Sequence, residues 1–162
     1  MSTISSWPAG HSPLLGRVLV VHGLGEHRGR YEWIAARLAA AGYEVWAGDF
    51  RGHGRAPGPR GHADRWQDLL DDVETVWREM AAGTSDANAP TAVLGHSLGG
   101  LIGLDWALAH SDRLRALVLS APAFEVGFKP PPWKVTLRSG RRSCEAVTAD
   151  AISALRSTTS HE

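Results

Sequence analysis

Residues 91–103 read TAVLGHSLGGLIG, and this stretch decides the fold. Thr91 to Gly95 is a short apolar run of the kind that makes a buried strand. From Ser97 to Ala109 the residues are small and apolar, in a helical pattern. Between them, Gly95-His96-Ser97-Leu98-Gly99 fits the pattern G-x-S-x-G. A strand that turns at once into a helix leaves no room for side chains two residues either side of the turn, and Gly in both places relieves the clash. The serine at the apex then projects its hydroxyl above the sheet edge, at a helix N-terminus whose dipole favours developing negative charge. The pentapeptide alone arises by chance in roughly one chain in twenty of this size. The flanking strand and helix give it weight, with Ser97 as the candidate nucleophile. A plain Gly-rich turn is the competing reading.

Working outward, apolar runs alternate with helical patterns. Residues 17–22 (RVLVVH) predict a strand, and Tyr31, Ile34, Ala35, Leu38 and Ala39 then recur at helical spacing. Gly42 is placed to end that helix. Residues 43–49 (YEVWAGD) predict a second strand, followed by a loop over 50–63 rich in Gly, Pro, Arg and His. Asp64, with Gln67 three residues on, predicts a capping box. An apolar stripe follows in Trp66, Leu69, Leu70, Val73, Val76, Trp77 and Met80. Residues 114–120 (LRALVLS) predict a further strand. Repeated strand–helix alternation implies an α/β fold, a mostly parallel sheet flanked by helices, with its chemistry at the C-terminal strand ends.

Two other segments fall at such ends. His22-Gly23-Leu24-Gly25-Glu26-His27 follows the first strand. A His-Gly loop there brings backbone N–H groups close to a substrate carbonyl, and the N–H groups of Leu24 and Leu98 are the expected oxyanion donors. The side chains of His22 and His27 are expected to hold the loop by hydrogen bonds. Residues 49–54 (DFRGHG) mix charge and imidazole, but no partner pair stands at ligand spacing. That loop reads as scaffolding, and no metal site is expected there.

The segments HGLGEHRGRYEWIAARLAAAGYEVWAGDFRGHGR, GHSLGG and LVLSAPAF together resemble the monoacylglycerol lipase and lysophospholipase group of α/β-hydrolases. The resemblance runs from about Val18 to Phe124. It implies Ser97 as nucleophile, Leu24 and Leu98 as oxyanion donors, and Gly95, His96, Gly99, His22 and Gly23 as motif residues. It also implies monoacylglycerols, lysophospholipids and related small acyl esters as substrates, no cofactor and a partial α/β-hydrolase fold. Relatives with Asp in place of Ser97, the dehalogenases and epoxide hydrolases, do not fit.

Against that family the chain departs in its second half. The resemblance implies a triad completed by Asp and His on loops after later strands. Downstream of Ser97 the only His are His110 and His161, and the only Asp are Asp105, Asp112 and Asp150. On a helix rising 1.5 Å per residue, His110 lies roughly 20 Å and Asp105 roughly 12 Å from Ser97. The later strands and the cap over the acyl pocket are therefore expected to be missing. Residues 14–124 read as the core of the fold and 125–162 as a divergent tail, with KPPP at 129–132 and RSGRR at 138–142. Residues 143–155 predict a modest helix, and 5–10 are all that suggests an earlier hairpin. A truncated gene product with an out-of-register tail is the expectation.

Composition narrows the classes. Seventeen Lys+Arg balance 17 Asp+Glu, which gives no electrostatic reason to expect nucleic acid. No apolar run approaches the ~20 residues of a membrane helix, and no signal peptide is read at the start. One cysteine, Cys144, cannot form an internal disulfide and has no motif around it. A cytoplasmic chain is expected, with self-association possible through an exposed sheet edge. Three readings remain open: an ester hydrolase by ancestry with little turnover, a non-catalytic binding fragment, and an acyltransferase.

Overall fold

The computed structural model describes residues 3–84, 86–123 and 144–148. Their elements run β1 (Ile4–Trp7), β2 (Gly16–Val21), α1 (Glu32–Ala40), β3 (Tyr43–Gly48), α2 (Trp66–Gly83), β4 (Thr91–His96), α3 (Leu98–Ala109), β5 (Ala116–Ser120) and β6 (Cys144–Thr148), with short 3-10 turns at Arg28–Tyr31 and Ser111–Arg113. One six-stranded sheet takes the order β1-β3-β2-β4-β5-β6. β3, β2, β4 and β5 are parallel, while β1 and β6 add antiparallel edges. The partial α/β-hydrolase architecture expected from the sequence is present.

Alternation along β2 explains the two layers. Val18 and Val20 pack with Ala35, Val45 and Ala47 on the α1 face. Leu19 and Val21 pack with Val73, Met80, Ile102 and Trp106 on the α2–α3 face. Side chains of a strand point alternately to opposite faces, so a continuous apolar run is the signature of a strand covered on both sides. The stripe of α2 buries Val73, Val76 and Met80, while Trp66 at its start remains 39% exposed.

Several expectations are corrected. The capping box of α2 lies one residue beyond Asp64–Gln67. The N-cap is Arg65, whose backbone N–H donates to Asp68 Oδ2 at 2.9 Å. Asp64 instead meets His62 Nε2 at 3.1 Å, and Gln67 donates to Asp71 at 3.0 Å. The helix expected over 143–155 is replaced at Cys144–Thr148 by strand β6. Pairing with β5 satisfies a row of backbone groups that a helix would leave open. The β5 edge is consequently covered, and the outer strands are β1 and β6. The hairpin remnant expected over 5–10 is strand β1, which pairs with β3 from Ile4 opposite Gly48 to Trp7 opposite Val45. Among the described residues no helix is long and apolar enough to cross a membrane.

Candidate active site

The C-terminal ends of β2, β3 and β4 bring the three motif segments together. Ser97 takes φ 53° and ψ −122° between β4 and α3. A non-glycine residue at positive φ is uncommon and costs on the order of 1–3 kcal/mol, which the surroundings must offset. Here the backbone does so: Ser97 N–H donates to Ser120 O at 3.0 Å, and Ser97 O accepts from Gly100 at 3.0 Å and Ala123 at 3.1 Å. Its hydroxyl bonds to no described residue, leaving it half-buried and available.

The two flanking glycines are needed for different reasons. A Cβ on Gly95 would lie 2.5 Å from Gly99 O and 2.7 Å from Gly100 Cα, within the turn itself. One on Gly99 would lie 2.3 Å from the carbonyl oxygens of both Val21 and His22. The second glycine thus lets α3 press on the end of β2, a long-range demand that the local turn argument does not include.

That contact sets the two loops side by side. Gly23 approaches so closely that a Cβ there would meet Ser97 Cβ and His96 O, each at 3.2 Å. Residues Gly23 to Glu26 form a tight turn, closed by Glu26 N–H to Gly23 O at 3.2 Å, with Gly25 at φ +72°. This is the arrangement of a type II turn, which needs positive φ at its third residue. Glu26 folds back: its Oε2 accepts from Gly23 N–H at 3.0 Å and from Tyr31 Oη at 2.7 Å, and its Oε1 meets Arg30 at 3.0 Å. Burial alone would raise the Glu26 pKa. The hydrogen bonds from Tyr31 and Gly23, with Arg30, outweigh it and hold the carboxylate below its usual range. Burial and the neighbouring Glu26 push Tyr31 upward, so its proton stays on. With Gly23 and Glu26 engaged, the N–H groups of Leu24 and Leu98 have no acceptor among the described residues.

His22 is 1% exposed. Its Nε2 lies 3.1 Å from Phe50 N–H and so accepts, which leaves Nδ1 to carry the proton and donate to Gly23 O at 2.8 Å. Desolvation lowers its pKa and keeps it neutral. His96 Nδ1 lies 2.9 Å from Ser120 O and donates to it. Asp49 organises the loop after β3, accepting from Arg28 N–H and Arg55 N–H, each at 2.8 Å, and pairing with the Arg28 guanidinium. A Cβ on Gly54 would overlap the Asp49 carboxylate. No group of ligands suited to a metal occurs among the described residues.

Other sequence candidates lie away from Ser97. Asp105 accepts from Trp66 Nε1 at 2.5 Å. His110 stacks on Trp106 with ring centroids 4.5 Å apart and donates through Nδ1 to Trp106 O at 2.8 Å. Asp112 belongs to the second 3-10 turn. Asp150 and His161 lie outside the described residues. Beside the Gly95–Gly99 turn, the nucleophile elbow, a cavity of about 360 Å³ on the α1 face is lined by Glu26, Arg30, Tyr31, Ile34, Leu94, His96 and Ser120. Ser97 does not line it. The Glu26–Tyr31 pair was not assigned a role from sequence, although both residues stand within the recognisable GEHRGRY segment.

The family described as serine aminopeptidase, S33, matches residues 12–153, a longer span than the Val18–Phe124 segment that carries the resemblance. The chain is 36% identical over 144 residues to a monoacylglycerol lipase of Mycolicibacterium smegmatis, covering 85% of this chain and 51% of the relative. It is 34% identical over 113 residues to the phospholipase YtpA of Bacillus subtilis, covering 69% of this chain and 42% of that one. Among solved structures, the monoacylglycerol lipase of Paleococcus ferrophilus superposes with a TM-score of 0.66 at 33% identity, over 80% of this chain and 46% of that one. The chain thus spans about half the length, or less, of these relatives.

Proposed function

Because this chain belongs to the S33 family of α/β-hydrolases and is monoacylglycerol lipase-like, we propose that it carries the nucleophile and oxyanion half of an ester hydrolase site for glycerol esters bearing a single acyl chain. The observation that carries this reading is Ser97 at φ 53° with two peptide donors, Leu24 and Leu98, that come from neighbouring segments and that no described residue engages. Ser97 Oγ attacks the ester carbonyl, the carbonyl oxygen becomes an oxyanion facing the two N–H groups, and the alcohol departs to leave an acyl-serine. Water then releases the fatty acid. The substrate class rests on the relatives named as monoacylglycerol lipase and phospholipase.

A base must take the serine proton for this to run at neutral pH. No imidazole bonds to Ser97 Oγ among the described residues, and His22 has both ring nitrogens occupied. That observation favours a second reading, in which the chain binds acyl esters without turning them over. Labelling with a fluorophosphonate, with Ser97→Ala as control, separates the two. Labelling that disappears in the variant supports the hydrolase. A folded chain that never labels sinks it and leaves the binding module.

A further inference from the structure

The opposite end of the sheet, reached along the ~17 Å length of β4, holds a second site built from charge. Arg17 in β2 is only 6% exposed. Its Nη2 donates to the carbonyls of Ala87 at 3.2 Å and Ala89 at 3.0 Å. Those oxygens are dipoles and carry no countercharge. Among the described residues its Nε is buried without an acceptor and no carboxylate pairs with it. The Trp77 ring lies 6.0 Å from the Arg17 guanidinium and 5.9 Å from that of Arg113. A buried cation with so little compensation is costly unless something supplies the missing charge.

A cavity of about 340 Å³ opens here, and its lining includes Arg17, Trp77, Asn88, Asp112, Arg113 and Arg115. Glu74 engages Arg113 at 3.1 Å. Arg115 makes no ion pair among the described residues, although its backbone N–H anchors β5 to Thr91 at 2.7 Å. Among the described residues Asp112 is the single carboxylate in the lining. Positive charge is therefore in excess around an open volume with one aromatic wall.

We propose that this cavity binds a phosphate-type oxyanion, held between the guanidinium groups of Arg17 and Arg115 against Trp77. A tetrahedral oxyanion brings the charge that Arg17 lacks and enough acceptor oxygens for two forked donors at once. The site lies at the N-terminal ends of the strands, so it is separate from the Ser97 chemistry and does not depend on it.

The test is titration of the full chain with inorganic phosphate at pH 7.5 and fixed ionic strength. Arginine Nε–H and Trp indole resonances are followed by NMR. Saturable shifts of Arg17 and Trp77 are expected, weakened ~10-fold by Arg115→Gln. Arg115 is exposed and makes no ion pair among the described residues, so that variant keeps the fold. Arg60→Gln, in a distant loop, should leave the affinity unchanged. Flotation with vesicles containing phosphatidic acid identifies the source. Binding that Arg115→Gln abolishes assigns the site to a lipid phosphate, and phosphate binding without flotation assigns it to a free one. Unsaturable shifts, shifts matched by chloride, or an affinity indifferent to Arg115→Gln overturn the proposal.

Discussion

Tyr31 donates to Glu26 Oε2 at 2.7 Å, and that same oxygen receives Gly23 N–H at 3.0 Å. One carboxylate oxygen therefore ties the first helical segment to the turn that carries Leu24. The Glu26 pKa is lowered in the fold: burial opposes ionisation, but Tyr31, Gly23 and Arg30 prevail. A depressed carboxylate contributes stability above its unfolded value of 4.5, and this is lost as pH falls through the folded-state value. Glu26→Gln should lower stability at pH 7 by about 1 kcal/mol and flatten the acid side of the profile. Urea unfolding between pH 7 and pH 3 measures both. An unchanged acid limb would rule out this role for Glu26.

Gly99 and Gly103 lie on the same helix but should respond very differently to alanine. A Cβ on Gly99 would lie 2.3 Å from two fixed carbonyl oxygens, whereas one on Gly103 would lie 3.2 Å from Val93 Cγ1. A side-chain methyl can give by a few tenths of an ångström, and alanine gains about 1 kcal/mol in helix propensity. Gly99→Ala should cost ~3 kcal/mol or prevent folding, and Gly103→Ala should stay within ~1 kcal/mol of the parent. Chemical denaturation midpoints give the comparison directly.

His22 should be neutral with its proton on Nδ1 throughout the neutral range. Desolvation lowers its folded pKa from 6.5. Between the folded and unfolded values the unfolded chain binds the extra proton, so stability declines as pH falls below about 6.5. Nitrogen-detected NMR reads the tautomer and the titration together. A doubly protonated ring at pH 6.5 would contradict the assignment.

Leu24→Pro offers a way to delete one peptide donor while keeping the turn. Proline is favoured at the second position of a type II turn, and no described residue accepts from the Leu24 N–H. The variant should fold with little change in stability. If Ser97 labels with a fluorophosphonate, its rate should fall ~100-fold or more in the variant. Equal rates would remove Leu24 from the oxyanion role.

Much of this was legible from residues because it is periodic. The apolar runs of β2 to β5 and the stripe of α2 follow from burial on one or both faces. The elbow was legible because its glycines sit at fixed offsets from Ser97. What escaped reading depends on contacts distant in sequence. Cys144–Thr148 has little local preference that separates helix from strand, and the open edge of β5 decides the matter. The cap of α2 moved by one residue because Asp68 reaches back to Arg65, so the box that formed was not the one spelled by Asp64 and Gln67. Glu26 and Tyr31 are five residues apart, and only the intervening 3-10 turn brings their oxygens together.

The meeting of Gly99 with the carbonyls of Val21 and His22 joins main chain to main chain, with no side chain between. The seam between α3 and the end of β2 is consequently set by peptide groups, and the Glu26 carboxylate fixes the turn beyond it. In the proposed ester hydrolase, side chains that line the approach to Ser97 can vary without moving this seam. On that reading a lineage changes its diet by side-chain drift while the seam beneath the serine stays constant.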